Sequence, residues 1–124
     1  MRRVLALLSL FSPSLFAALP IDQQTLIGWQ QKEKPPLLVD VRTAEEFAAG
    51  HIPGARNLSS AELSERMGEL KGFEQKPVVI YCRSGRRAGE VVARLEKAGF
   101  TQLYHLSGDW QGWVKGKRPI RTAE

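Results

Sequence analysis

Val78-Val79-Ile80-Tyr81-Cys82-Arg83-Ser84-Gly85-Arg86-Arg87 decides the fold. Its first half is a β-branched and aromatic run without a charge, which predicts a strand buried on both faces. Its second half is polar and turns on a glycine. From Arg86 to Ala98 the apolar residues Val91, Val92, Leu95 and Ala98 recur at helical spacing, and Gly99 closes the helix. A buried strand that hands over to an amphipathic helix through a short glycine loop is the unit of a parallel sheet.

Working outward, the same alternation repeats. Upstream, Leu37 to Val41 is an apolar run broken only by Asp40, read as another buried strand. Thr43-Ala44-Glu45-Glu46 has the form of a capping box, and Gly50 ends the short helix after it. His51 to Ala55 is a Pro-Gly turn, and Ala55 to Leu58 a short strand. Ser59-Ser60-Ala61-Glu62 offers a second capping box, with a helix to Leu70. Downstream come a strand over Leu103 to Leu106 and a helical turn or two from Asp109 to Val114. Before the first strand, Ile21 to Lys34 is weakly helical, with Asp22 as N-cap, and Pro35-Pro36 stops it. The tail from Lys115 is polar and expected to fray. This order predicts an α/β domain with a mostly parallel sheet. Ligands of such sheets sit beyond the carboxyl ends of the strands, where Cys82 lies.

The 124 residues allow one domain, and 43% hydrophobic with 25% charged residues is ordinary for a folded chain. Arg2 and Arg3, the apolar run Val4 to Leu10, and Leu15-Phe16-Ala17-Ala18 follow the order of a secretory signal peptide. The apolar run is shorter than the ~20 residues a spanning helix needs. Residues 1–18 are therefore expected to be removed, with the cut between Ala17 and Leu19, giving an exported, periplasmic protein without a stable membrane anchor. Cleavage removes two cations and takes the formal charge from +5 to +3. The remaining basic residues are not gathered into a tail, so small anions suit the chain and nucleic acid is not expected.

Cys82 is the one cysteine. It cannot staple its own fold, so it is either an apolar filler or a reactive thiol. Its neighbours favour the second. Backbone N–H groups at a helix start have no intrahelical partners, and a curled loop of them forms an anion nest. The helix dipole and Arg83, Arg86 and Arg87 add positive charge, all of which favour thiolate. Gly85 lets the loop curl. The bland alternative is a common strand–loop–helix joint with solvated arginines.

Cys82-Arg83-Ser84-Gly85-Arg86-Arg87 resembles the active-site loop of rhodanese-type sulfurtransferases: cysteine, two residues, glycine, one residue, arginine. Leu38 to Arg42 resembles that family's first strand. Glu45-Glu46-Phe47 with Gly50 to Ala55 resembles its next helix and turn, and Leu106 to Trp110 with Trp113 its closing motif. The resemblance runs from Leu37 to Val114, and the exported single-domain form is similar to periplasmic members of the family. Residues 19–36 are then a helical lead-in, 37–114 the catalytic domain and 115–124 the tail. The family often has two glycines where this chain has Gly108-Asp109.

The resemblance implies a three-layer α/β/α fold and sulfur transfer through a cysteine persulfide. Cys82 is the nucleophile, and Arg83, Ser84, Gly85, Arg86 and Arg87 bind the substrate. Arg83 and Arg87 are the side chains expected on a sulfonate. Thiosulfate is the donor, sulfite the product, and cyanide or a thiol the acceptor. No cofactor and no metal is implied.

Two alternatives stay open: a binding module with an idle Cys82, and a small cysteine phosphatase or arsenate reductase. Phosphatases of the related fold place five residues between cysteine and arginine, a spacing that falls here on Ala88. Asp40, with Arg42, is expected to support the site, since a buried charge needs a partner. His51 reads as a turn residue. His51 and His105 are too far apart in sequence to suggest a metal set. Trp110 and Trp113 share a helical face and are expected in the core, and Glu45 and Glu46 are acids of a helix start.

Overall fold

The computed structural model describes residues 18–123. Except for Ala18, the segment read as a signal peptide lies outside them. Five parallel strands form one sheet in the order β1-β5-β4-β2-β3: β1 Leu19–Ile21, β2 Leu37–Asp40, β3 Arg56–Asn57, β4 Val78–Tyr81 and β5 Leu103–Leu106. The helices are α1 Gln23–Gln30, α2 Ala44–Ala49, α3 Leu63–Arg66, α4 Arg86–Lys97 and α5 Asp109–Lys115.

Because side chains alternate along a strand, β4 feeds two cores. Val78, Ile80 and Cys82 face a layer with Leu63, Leu70, Val91, Val92 and Leu95. Val79 and Tyr81 face the other, with Leu26, Ile52, Leu106 and Trp113. Both faces are covered, as an all-parallel sheet requires. The chain leaves β2 toward β3 but leaves β4 toward β5. Their paired ends, Asp40 opposite Tyr81, therefore mark the switch point where a crevice opens.

Local signals held at two caps. Asp22 accepts from the Thr25 N–H at 2.8 Å. Thr43 and Glu46 make a reciprocal capping box. The second box did not form: Ser59 Oγ accepts from Ala61, not from Glu62. The segment to Leu70 is a single α turn between two 3₁₀ stretches, Ser60–Glu62 and Met67–Leu70.

The lead-in over 19–36 holds the expected helix as α1 and adds a strand the sequence did not announce. It opens with β1, whose Pro20 is tolerable because an edge strand need not donate on its outer side. Its helix buries Leu26 completely. Over residues 115–123 the tail is held and not frayed. Arg121 bridges His51, the Ala123 N–H donates to Ala48, and Trp113 Nε1 donates to the Pro119 carbonyl at 2.7 Å.

Candidate active site

The site grows from how α4 starts. Gly85 occupies the N-cap position with φ 115°, and no side chain of its own can cap the helix. The Cys82 sulfur does so instead. The Gly85 N–H donates to Sγ at 3.0 Å and the Ala88 N–H at 3.3 Å. Ala88 is the third helical residue, whose N–H an N-cap oxygen ordinarily takes. Sulfur is thus held at the positive end of a 12-residue helix. Gly85 is needed for a second reason: a Cβ there would stand 3.2 Å from Asp109 Oδ2.

Cys82 is free and only 1% exposed, so its sulfur forms the floor of the loop. Arg83, Ser84 and Arg86 are exposed above it, and Gly85 and Arg87 are half-buried. Of the loop, the structure brings the Gly85 amide onto the sulfur, joined by the Ala88 amide just beyond it. Arg87 differs from expectation. Its Nη1 and Nη2 donate to the two Glu46 oxygens at 2.7 and 3.2 Å. A guanidinium engaged by a carboxylate on both nitrogens is not directed at a sulfonate. Its pKa is raised, first by the Glu46 hydrogen bonds and to a lesser extent by the charge of Cys82. Glu46 is pulled down to about 2, first by the Arg87 hydrogen bonds and then, against burial, by its bond to the Thr43 backbone.

Asp40 is fully buried and Arg42 3% exposed. Arg42 Nε lies 3.0 Å from Asp40 Oδ1, and Nη2 lies 2.7 Å from Oδ2 and 2.7 Å from the Gly50 carbonyl. Arg42 is thus the partner that the buried Asp40 charge needs. Burial and the Asp40 charge push the Tyr81 hydroxyl well above its ordinary range, and that hydroxyl accepts the Ile52 N–H. The pair thus ties β2, β4 and the turn at Gly50 together beside the loop.

Three side chains gain roles the sequence did not reveal. Trp110, expected in the core, is half-buried, with the Arg42 guanidinium 4.6 Å from its ring centre, while Trp113 alone of the two is buried. Arg42, Glu46, Ala49, Gly50, Arg83 and Trp110 line a cavity of about 230 Å³ next to the loop. Asp109, where a second glycine was expected, takes φ 52° and is 4% exposed. Its Oδ1 accepts the Cys82 N–H at 3.0 Å and lies 2.9 Å from His105 Nε2. Its replacement of a glycine was the one signal that marked it. His51 stacks on Phe47 and holds the Phe47 carbonyl, as a turn residue should. Among the described residues no group of three potential ligands could hold a metal.

Known proteins carry the same architecture. The family profile described as Rhodanese-like domain matches residues 22–116, which takes in α1 and reaches past Val114. A protein described as Sulfurtransferase from Allochromatium vinosum is 36% identical over 104 residues, covering 84% of this chain and 95% of that one. YqhL of Bacillus subtilis is 40% identical over 84 residues, and the chain spans 65% of it, just under two thirds; of a longer mycobacterial relative it spans 25%. A rhodanese-like domain protein from Staphylococcus aureus superposes with a TM-score of 0.75 at 26% identity, covering 86% of this chain and 99% of that one.

Proposed function

The chain belongs to the rhodanese-like domain family of sulfurtransferases, and on that premise we propose that it moves sulfane sulfur from thiosulfate to a thiol or cyanide through a persulfide on Cys82. The observation that carries this reading is the convergence of two backbone N–H groups on Sγ at a helix start. In the first step the Cys82 thiolate attacks the outer sulfur of thiosulfate. A new S–S bond forms, the S–S bond of thiosulfate breaks, and its electron pair leaves on sulfite. In the second step the acceptor attacks the outer sulfur of the persulfide, and the pair of that bond returns to Cys82. This is covalent catalysis with a positioned nucleophile.

The loop's job in both steps is to hold an anion without reorganising. The amides are fixed by α4 before substrate arrives, which is the arrangement that lowers a charge-separating barrier most. Exposed Arg83 and Arg86 attract the dianion, and Arg83 reaches the adjoining cavity.

Intact mass after thiosulfate treatment tests the reading. A gain of one sulfur that cyanide removes supports it. A protein that stays unmodified while its thiol alkylates at an ordinary midpoint near ~8.5 would instead be a binding module. We also propose export with loss of the leader. Ala18 packs against the core, which favours the cut after Ala17. No helix among the described residues is long and apolar enough to cross a membrane. The N-terminal mass of protein from the periplasmic fraction checks the cut, and its recovery in the cytoplasm with residue 1 intact would overturn it.

A further inference from the structure

The first turn of α5 clasps the nucleophile's own backbone. The Trp110 N–H donates to the Cys82 carbonyl at 2.9 Å and the Gln111 N–H to the Arg83 carbonyl at 3.1 Å. The Asp109 carboxylate accepts the Cys82 N–H at 3.0 Å. The peptides on both sides of Cys82 are therefore held by three consecutive residues of one turn. Asp109 does this from a left-handed conformation, which an aspartate tolerates at some cost. Its second oxygen lies against Gly85.

A carboxylate in that place is an electrostatic liability. It sits under a loop whose work is to hold anions. His105 supplies the answer: its Nε2 lies 2.9 and 3.2 Å from the two Asp109 oxygens. We propose that Asp109 and His105 are a positioning pair for the sulfur loop, in which the carboxylate clamps the Cys82 peptide and the imidazolium cancels that carboxylate's charge toward the bound anion. The proposal deepens the sulfurtransferase reading and rests on it for its substrate.

The hydrogen bond to Asp109 raises the His105 pKa above the usual histidine range, against the pull of burial. Pro20 of β1 and Ile80 of β4 flank His105 in the sheet and carry no charge. Asp109 faces it from α5, and from the loop Gly85 and, through Asp109, Cys82. As pH rises and His105 loses its proton, the clamp becomes a net negative charge and anion capture weakens.

The test reads the potential at the sulfur and the sulfur transfer separately. Cys82 is alkylated with anionic iodoacetate and with neutral iodoacetamide, and the rate ratio cancels thiol ionisation. In the native chain this ratio falls about three- to tenfold across the His105 titration followed by NMR, the scale of one unit charge in a neighbouring loop. In His105→Asn the ratio stays at its low value at every pH. In Asp109→Gly the step moves down toward the ordinary histidine range, and glycine relieves the backbone there, so the fold persists. The clamp is read in turnover: Asp109→Gly lowers kcat, and Asp109→Asn, whose amide oxygen can still accept the Cys82 N–H, restores most of it. A native ratio that stays flat while His105 titrates, a pH step retained in His105→Asn, or equal kcat in the glycine and asparagine variants overturns the pair. A native chain that shows the step but gains no sulfur from thiosulfate overturns the parent reading and leaves the pair standing.

Discussion

Two strand-to-helix joints lie side by side at the carboxyl edge of the sheet, and they are finished in opposite ways. After β2, the chain runs Asp40-Val41-Arg42-Thr43 into α2. The polar side chains there bond to one another and to nearby backbone: Arg42 grips Asp40 and Gly50, and Thr43 and Glu46 cap each other's backbone. After β4, the chain runs Cys82-Arg83-Ser84-Gly85 into α4, and no cap side chain is present at Gly85. The amides meet a sulfur instead. A joint closed by its own side chains is a brace. A joint whose donors are left to a nucleophile and its charge is a site. The two are also linked, because Glu46 of the braced helix holds Arg87 of the open one.

The contrast can be broken at each end. Cys82→Ala is expected to abolish sulfur transfer, with thiocyanate production falling to background while the melting curve changes little. Cys82→Ser keeps an atom that can cap Ala88 yet transfers no sulfur, so its melting temperature should lie nearer the native one. At the braced joint the largest effect is on stability. Asp40→Asn leaves Arg42 buried without a counter-charge and should cost about 3–5 kcal/mol in urea unfolding. Gly85→Ala forces a side chain onto a left-handed residue, at a cost of roughly 1–2 kcal/mol. The new methyl also crowds Asp109, so turnover should drop at least as visibly as stability.

The linking pair gives the smallest and most diagnostic effect. Glu46 has its folded pKa depressed, so its contribution to stability is complete above the unfolded value near 4.5 and is lost as pH falls toward about 2. Both partners are about a third exposed, which limits the pair to about 1 kcal/mol or less. Glu46→Gln can still complete the capping box while losing the ion pair. Acid unfolding followed by circular dichroism should then show a shallower loss between pH 4.5 and 2 than the native chain. A steeper loss would mean that the two joints are not coupled through this pair.

What was legible follows from what is local. The central strand, the amphipathic helix after it, the Asp22 and Thr43 caps and the six-residue sulfur loop are all written in contiguous residues. β1 was missed because three residues, one of them Pro20, make no period. The Ser59 box was over-read because Ser59 bonded to Ala61 and a tighter 3₁₀ turn took the place of the expected helix start. Trp110 and Trp113 have the same spacing signal, and only the position of Arg42 separates them.

The sequence by itself determined that a parallel α/β domain would place a lone thiol where a buried strand meets a helix start, because strand burial, helix period and turn chemistry act over a few neighbouring residues. Tertiary structure decided which charges that thiol meets. Glu46 and Arg87 are 41 residues apart and Cys82 and Asp109 are 27 apart. Such pairs exist only once the sheet has brought the ends of β2, β4 and β5 to one edge, and Coulomb forces reach too short a distance in solvent for linear order to reveal them.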